Sequence, residues 1–259
     1  MHTQTNHEIH EYFRISPELL PYLPELFADL WAIGSAPEII VAWLRRLGLP
    51  PRSTRAIDLG CGKGAVAISL AKELNYQIFG FDFFEPFVLA ARQKAQELNV
   101  TELCTFAFAD MRHALNSAVN YDLAIYTAVG DVLGSVAQCV GRLREAIHSR
   151  GYIIIDDGFR LTHDPIAFPG YEYYASREET IRQLTAHGDK IIQEKIFSVE
   201  EMKQVNQRNT AVITQSAGAL VESHPELADV LSEFLEQERQ ECEILERDVA
   251  CAMWLIEKA

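Results

Sequence analysis

The chain has 259 residues, enough for one large domain or two small ones with a sizeable buried core. Hydrophobic residues make up 48% and charged residues 23%, an ordinary globular balance, but 37 acidic against 23 basic residues leave a net charge of -14. An acidic chain without a basic stripe argues against nucleic acid as a partner, because the phosphate backbone is bound by Lys and Arg.

The number of cysteines and the lengths of the apolar runs indicate the cellular compartment. Five cysteines are odd in number and form no C-x-x-C pair, so we expect free thiols in a reducing compartment and no structural metal site. The polar start, MHTQTNHEIHEYF, does not read as a signal peptide, and no apolar run approaches the ~20 residues that cross a bilayer. We therefore expect a cytoplasmic protein without a membrane partner.

The first 50 residues are predicted to form a helical cap that precedes the first strand. After them, short apolar runs alternate with segments of helical period. The predicted strands are RAIDL (55–59), QIFGFD (77–82), CTFAFAD (104–110), YDLAIYT (121–127) and GYIIID (151–156), and the predicted helices lie near 64–75, 85–98 and 133–148. Strand–helix–strand repetition at this spacing predicts a parallel, doubly wound α/β sheet.

Four S-x-x-E patterns predict helix starts, because the serine accepts a free N–H and the glutamate reaches back to the serine N–H. They are Ser35/Glu38, Ser176/Glu179, Ser198/Glu201 and Ser223/Glu226. The last is expected to open a long amphipathic helix. The chain thus divides into a cap (1–50), a sheet domain (51–198 and 248–259) and a helical insertion (199–247).

Three glycines at alternate positions follow the first strand in AIDLGCGKG, directly after Asp58. A loop of this kind brings backbone N–H groups beside a ligand at the carboxyl edge of the sheet. Its spacing differs from the dinucleotide-binding G-x-G-x-x-G and from a phosphate-binding P-loop. Lys63 within it is interpreted as a solvated loop residue.

The next two predicted strands also end in acids. Asp82 stands where a carboxylate can accept both hydroxyls of a ribose, although it could instead cap the following helix. Asp110, followed by Met111, suits the amino group and ring face of an adenine, with a helix cap again as the alternative.

These three motifs, AIDLGCGKG, GFDFFE and FADMR, resemble in order and spacing those of the class I S-adenosylmethionine-dependent methyltransferases, over roughly residues 55–160. The resemblance implies a doubly wound, mostly parallel, Rossmann-like seven-stranded sheet closed by a reversed pair, 189–198 and 249–259. It also implies S-adenosyl-L-methionine as the cofactor. The cofactor-binding residues that it implies are Asp58, Gly60, Cys61, Gly62, Asp82, Phe83, Asp110, Met111, Thr127 and Gly34.

Acid–base candidates follow the fourth and fifth strands. Asp157, Asp131 and His163 are the catalytic candidates, since some acceptors need a general base. Asp131 could equally be the N-cap of the next helix. Only one of Asp156 and Asp157 is expected to face the pocket, because adjacent strand residues point to opposite faces. His163 could be an ordinary surface histidine.

Aromatic residues flank the predicted mouth of the site and suggest a partly apolar acceptor pocket, although core packing would explain any single one. The substrate candidates are Tyr12, Trp31, Phe159 and Tyr171. The helical insertion could be a lid or a dimer face, so a homodimer stays open, or its apolar stripe could simply dock on the sheet domain.

The expected function is methyl transfer from S-adenosylmethionine to a small-molecule acceptor by in-line displacement. The exit of the fourth strand reads YTAV, not the Asn/Asp-Pro-Pro-aromatic of similar enzymes that methylate nucleic-acid amino groups. The alternatives are a non-catalytic S-adenosylmethionine-binding protein and a nicotinamide-dependent oxidoreductase.

Overall fold

The computed structural model describes residues 15–259, which form two compact units. One unit consists of Ala32–Ile196 and Val249–Ala259 and contains the sheet. The other consists, in the described part of the chain, of 15–31 with Phe197–Asp248, and it is helical.

The strands lie where the sequence predicts them, with differences at their ends. They are β1 (Arg55–Leu59), β2 (Gln77–Asp82), β3 (Cys104–Phe108), β4 (Tyr121–Thr127), β5 (Ile147–Arg160), β6 (Lys190–Ile196) and β7 (Val249–Glu257). They form one seven-stranded sheet in the order β3-β2-β1-β4-β5-β7-β6. The first five strands are parallel, and β7 runs antiparallel between β5 and β6. The predicted doubly wound, mostly parallel sheet with a reversed closing pair is confirmed.

The described residues contain α-helices in both units. They are α1 (Leu23–Leu26), α2 (Pro37–Leu47), α3 (Ala65–Leu74), α4 (Glu85–Glu97), α5 (Met111–Ser117), α6 (Val136–Ala146), α7 (Arg177–Leu184), α8 (Val199–Ser223) and α9 (Ala228–Arg247). A short 3₁₀ helix, Pro17–Tyr22, precedes α1, and a second, Pro225–Leu227, separates α8 from α9. None of the helices within residues 15–259 combines the length and hydrophobicity that a bilayer-spanning segment needs.

The strands in the middle of the sheet, β1, β4, β5 and β7, are apolar and mostly buried on both faces. On one face, Ile57, Tyr126, Ile155 and Trp254 belong to a hydrophobic core that also takes in side chains of α5 and α6. Alternating residues of the same strands point to the opposite face. The continuous apolar runs of the sequence therefore reflect two covered faces.

Helix α2 shows that the predicted cap, 1–50, is divided. Its Ile40 and Leu44 are fully buried, and its Arg45 pairs with Glu73 of α3 at 3.0 Å. Residues 32–50 therefore belong to the sheet unit, and only the segment up to Trp31 groups with α8 and α9.

The helical unit is held together by its own contacts. The predicted apolar stripe of α9 supplies the buried Leu231 and Phe234, and α9 packs against α8. Across the pair, the Asn206 side-chain amide donates to the Glu246 carboxylate at 3.0 Å. The apolar stripe is thus packed within the unit to which it belongs.

The predicted helix starts have mixed outcomes. Ser198 forms a complete capping box with Glu201. Ser176 caps α7, and its hydroxyl accepts the N–H of Glu179. The prediction for Ser35 is wrong because the N-cap of α2 is Ala36. The prediction for Ser223 is also wrong, since α8 continues through Ser223 and its hydroxyl donates to carbonyls of the preceding turn.

Candidate active site

Strand register brings four polar side chains to one sheet face at the carboxyl edge. Asp58 of β1 pairs with Gly80 of β2 and with Ile125 of β4. Asp82 and Thr127 lie two residues further along these strands, so they share the face of Asp58. Thr127 pairs with Asp156 of β5, which extends the row by one strand. We call this surface the Asp58 face; its polar members are Asp58, Asp82, Thr127 and Asp156.

Asp58 is the most deeply buried of these groups. The residue is 1% exposed, and among the described residues its Oδ2 atom has no hydrogen-bond partner. Burial raises the pKa of Asp58 to about 7, the charge of Asp82 adds to this, and the backbone N–H of Ala67 opposes it. An orphaned buried carboxylate oxygen fits a cationic group of a ligand.

Asp82 ties β2 to the glycine loop. One of its oxygens accepts the N–H of Gly62 at 2.8 Å, and the other accepts the N–H of Phe84 at 2.9 Å. Burial raises its pKa, although these N–H groups and that of Phe83 counteract the shift. A carboxylate has about four acceptor sites, so both oxygens keep capacity for ligand hydroxyls.

Two glycines of the loop have different surroundings. Gly60, Gly62 and Gly64 all have positive φ. A Cβ on Gly60 would lie 2.7 Å from Val129 and 3.3 Å from Met111, so the backbone passes too close to its neighbours for a side chain. A Cβ on Gly62 would meet no atom within 4 Å. The loop therefore borders open space at Gly62, which suits a ligand held against bare backbone.

The remaining loop residues point inward. Cys61 is buried, and its sulfur lies 2.9 Å from the position of a Cβ on Gly80. Burial raises the pKa of its thiol well above the ordinary value. Lys63 is also buried, with its ammonium group 5.8 Å from the ring centroid of Phe87. The expectation that Lys63 is a solvated loop residue is therefore wrong.

Asp110 and Met111 follow β3 as expected, but Asp110 is occupied by its own helix. It is the N-cap of α5, accepts the Arg112 N–H at 2.7 Å and pairs with the Arg112 guanidinium at 2.7 Å. Burial tends to raise its pKa, but the bonds and charge of Arg112 outweigh it, so the pKa lies below the usual value. Met111 is buried beside Gly60.

The exit of β4 approaches the segment before α2. A Cβ on Gly34 would lie 2.8 Å from the Cβ of Ala128, and Ala128 has a φ of 55°, which is uncommon for a residue other than glycine. Such strained positions cluster at functional sites. Gly34, Gly60 and the β4 exit are thus close neighbours in one unit.

A second polar cluster lies on the opposite face, beyond β5. Asp157 accepts a hydrogen bond from the Tyr173 hydroxyl at 2.9 Å, and the two line a cleft with Asp131, Tyr126 and Gly130. Burial raises the pKa of Asp157 to about 6; Tyr173 and Tyr174 oppose this, and the charge of Asp131 adds to it. The volume open to a water centre is about 10 Å³, roughly one water molecule.

Asp131 is not the N-cap of α6. Ser135 fills that position and forms a capping box with Gln138, which the sequence analysis missed. Asp131 is exposed in the preceding turn, where its carbonyl accepts the Gly134 N–H at 2.7 Å. Its carboxylate is therefore free of the capping role.

Three other candidates, His163, Phe159 and Tyr171, do not line the cleft. The His163 side chain is fully exposed, with Nδ1 3.4 Å from Asp164. Phe159 and Tyr171 are buried, Phe159 within the hydrophobic core and Tyr171 against the ring of Tyr174 at 5.4 Å. Trp31 belongs to the helical unit. Tyr12 lies outside the described residues.

Neither the contact between Tyr173 and Asp157 nor the positive φ of Ala128 is visible in the sequence. Tyr173 is one of several aromatic residues after β5, and nothing in the local sequence distinguishes it from Tyr171 or Tyr174. Within residues 15–259, no group of three or more His, Cys, Asp or Glu side chains has the arrangement of a metal site.

Solved structures with the same fold include two methyltransferases. The S-adenosylmethionine-dependent methyltransferase of Thiobacillus denitrificans, solved with S-adenosyl-L-homocysteine, is 16% identical, with a TM-score of 0.76 over 92% of this chain and 98% of the other. The enzyme of Geobacter sulfurreducens, solved with the same ligand, is 19% identical, with a TM-score of 0.76 over 92% and 99%.

The same fold also occurs in the [4+2]-cyclase SpnF, which is 16% identical, with a TM-score of 0.70 over 97% of this chain and 94% of the other. At these identities the likeness shows the fold alone, and the cyclase shows that the fold does not fix the reaction. No curated protein matches the sequence.

The family model described as "Methyltransferase domain" matches residues 51–258, which include the glycine loop, the row of acids and all seven strands. This match covers most of the chain and agrees with the motifs in AIDLGCGKG and GFDFFE. The chain therefore belongs to the methyltransferase domain family, as its sequence predicts.

Proposed function

We propose that the protein is an S-adenosyl-L-methionine-dependent methyltransferase that acts on a small-molecule acceptor. The observation that carries the proposal is the orphaned Asp58 carboxylate on the strand that leads into the glycine loop, which borders open space at Gly62. An acid with an unfilled partner position and a bare backbone loop together suit an amino-acid ligand with a cationic ammonium group. The homologous fold in complexes with S-adenosyl-L-homocysteine supports the same ligand.

Each part of the cofactor has a matching group in this chain. Asp58 would bind the ammonium group, and the loop from Gly60 through Cys61 to Gly62 would hold the amino-acid moiety. Asp82 would accept the ribose hydroxyls with its remaining lone pairs. Phe83, Met111 and Asp110 would border the adenine, although Asp110 has only the capacity that Arg112 leaves. Gly34 and Thr127 would line the end near the acceptor.

When bound, S-adenosylmethionine supplies a methyl group on a positively charged sulfur. The chain's own contribution is to orient two ligands and exclude water. Asp157 is the preferred general base, because a carboxylate with a pKa of about 6 is largely ionised at pH 7 and can accept a proton. The Tyr173 hydroxyl donates to one oxygen of Asp157, and Tyr173 and Tyr174 together favour the ionised form of this carboxylate.

A small-molecule acceptor is supported by charge and by the β4 exit. The net charge of -14 disfavours nucleic acid, and the sequence YTAV differs from the exit of the nucleic-acid amino-methylating enzymes. We further infer a cytoplasmic setting from the cysteines, all five of which are free.

One observation supports the alternative of a non-catalytic S-adenosylmethionine-binding protein. The cleft at Asp157 has room for about one water molecule, as expected for a cofactor-binding protein whose acceptor pocket is filled by its own side chains. The family match to a methyltransferase domain disfavours the oxidoreductase alternative.

The test is titration calorimetry with S-adenosyl-L-homocysteine, with NAD as the comparison ligand. We expect S-adenosyl-L-homocysteine to bind and NAD not to. Asp82→Asn should weaken binding about 10-fold to 100-fold, the effect of losing hydrogen bonds to a charged group. Asp164→Asn, the same substitution at a side chain that is 93% exposed, is the matched control and should bind normally.

Binding of NAD without any response to S-adenosyl-L-homocysteine would refute the proposal. Binding of S-adenosyl-L-homocysteine with no methyl transfer to any of a broad panel of small acceptors would favour the non-catalytic alternative.

A further inference from the structure

Asp156 is a buried carboxylate with no role in the interactions described so far. It is 7% exposed, and among residues 15–259 its carboxylate forms no hydrogen bond or ion pair. The adjacent Asp157 points to the opposite face and is held by Tyr173. The two neighbouring acids therefore have different surroundings, and only Asp156 lies on the Asp58 face.

A carboxylate in this position is costly for the free protein. Burying a charge without a partner costs several kcal/mol, and native proteins pair such groups or neutralise them. Burial raises the pKa of Asp156 well above its ordinary value, and the charge of Asp157 adds to this. Buried polar groups without a partner call for an explanation, and a missing ligand is one that fits a sheet edge next to the cofactor residues.

The order of the strands locates Asp156 relative to the cofactor residues. Along the Asp58 face, Asp82 lies on β2, Asp58 on β1, Thr127 on β4 and Asp156 on β5. Adjacent strands lie about 4.8 Å apart, so Asp156 is three strands from Asp82 and directly beside Thr127. If Asp82 and Asp58 hold the cofactor, Asp156 is left at the far end of the row, on the side of the acceptor. Because β4 ends at Thr127, a ligand beyond that end can reach Asp156 on one face of β5 and Asp157 on the other.

We propose that Asp156, next to Thr127, binds the positively charged amine of the methyl acceptor, so that the substrate class is a small amine. The identification of this ligand as the methyl acceptor rests on the proposed function.

The charges on the Asp58 face favour this class over others. A carboxylate or phosphate acceptor would face Asp58, Asp82 and Asp156 together, which is unfavourable in a buried setting. A neutral hydroxyl could accept or donate one hydrogen bond but would not neutralise the acid. A protonated amine pairs with the carboxylate and offsets its burial, and the net charge of -14 favours the approach of cations.

The test uses a fragment of the acceptor, which does not require the acceptor to be known. Protein with ¹³C-labelled aspartate carboxyl groups, saturated with S-adenosyl-L-homocysteine, is titrated with ethylammonium chloride, with ethanol and with sodium acetate, and sodium chloride matches the ionic strength. A ligand of so few atoms binds at about millimolar at best, so high concentrations are used. The Asp156 resonance is assigned by its loss in Asp156→Asn.

We expect ethylammonium, but not ethanol or acetate, to shift the Asp156 resonance saturably. In Asp156→Asn, ethylammonium should no longer shift the resonances of the other aspartates on this face. Asp164→Asn, at an exposed side chain, should behave like the wild type. Asp156→Asn should also melt at a temperature no lower than that of the wild type, because the substitution removes no hydrogen bond or ion pair from the free protein. No response of Asp156 to ethylammonium, or an equal response to ethanol, would overturn the proposal.

A lower melting temperature for Asp156→Asn would overturn it as well, since the carboxylate would then be a structural partner. Failure of the proposed function is distinguishable: S-adenosyl-L-homocysteine would not bind the wild type in calorimetry. The ethylammonium response of Asp156 can still be measured in that case, and a positive result would keep the amine site while removing its assignment to a methyl acceptor.

Discussion

Gly60 and Gly62 share a left-handed backbone, with φ of 70° and 52°, but only Gly60 is enclosed. Alanine at either position incurs about 1–2 kcal/mol of backbone strain. At Gly60 the new methyl also meets Val129 at 2.7 Å, so overpacking adds about 1–3 kcal/mol. We expect urea unfolding to show a larger loss of stability for Gly60→Ala than for Gly62→Ala.

The two alanine variants should also differ in ligand affinity, with the larger loss expected for Gly62→Ala. Because the methyl of Gly62→Ala enters the open space at the loop, this variant should stay folded and lose affinity for S-adenosyl-L-homocysteine in calorimetry. Equal destabilisation by both substitutions, or full affinity in Gly62→Ala, would contradict the description of the loop.

Asp157 and Tyr173 predict a pH dependence of turnover. A general base must be ionised, so kcat should rise as pH increases through about 6, the pKa of Asp157. The Tyr173 hydroxyl stabilises the ionised carboxylate, so Tyr173→Phe should raise this pKa and move the rising limb to higher pH. The measurement is kcat against pH, with the best acceptor of the panel.

The control is Tyr152→Phe, the same change on β5 but away from the cleft lining, which should leave the profile in place. A rising limb that does not move in Tyr173→Phe would show that Asp157 is not the titrating base.

Among the elements, β1, β2 and β4 begin and end where the sequence predicts. Each is a short apolar run that reaches the carboxyl edge, and the residues that follow are loop formers such as Gly60. β5 is longer than predicted, because its antiparallel pairing with β7 extends from Tyr152 to Arg160. That partner is about 100 residues away, so no local pattern could reveal the extension.

In the candidate site too, features set by the local sequence could be predicted, and features set by contacts between distant segments could not. The strand tips with Asp58, Asp82 and Thr127 are visible in the sequence because each belongs to its own strand. The orientation of Asp156 and Asp157 depends on register with β4, and the partner of Asp157 comes from an irregular segment after β5. Lys63 is buried through contact with α4, which a loop pattern does not indicate.

Helix α8 offers a test of capping at the element scale. Ser198 accepts the Glu201 N–H at 3.2 Å, and Ser198→Ala should cost about 1 kcal/mol, mainly in the first turn. Ser223 is the last helical residue, so Ser223→Ala is the matched control and should change stability by less than about 0.5 kcal/mol. Hydrogen exchange of the amides that follow Ser198 measures the local opening. Equal protection in both variants would show that the capping box does not stabilise the helix.

At the scale of the molecule, the buried acids predict an unusual dependence of stability on pH. Asp58, Asp82, Asp156 and Asp157 all have raised pKa values in the folded protein, with burial as the main cause. Between the ordinary and the raised pKa, the folded state binds more protons than the unfolded state. Stability from these groups is therefore complete below their unfolded pKa and is lost as pH rises through the folded pKa.

Asp58 isolates this effect, since its pKa moves from 3.8 to about 7. At about 1.4 kcal/mol for each pKa unit, this shift makes the folded protein more stable at acidic pH, where Asp58 is protonated, than at alkaline pH by up to about 4 kcal/mol. Asp58→Asn should therefore melt at the same temperature as the wild type near pH 4 and at a higher temperature at pH 8. Asp164→Asn, at a side chain that is 93% exposed, should follow the wild type at both values. Saturation with S-adenosyl-L-homocysteine should shrink the difference, because an ammonium group beside Asp58 lowers its pKa and stabilises the ionised form. A difference that is the same at pH 4 and pH 8 would mean that Asp58 is paired in the free protein, and the case for its role as the ammonium ligand would fail with it.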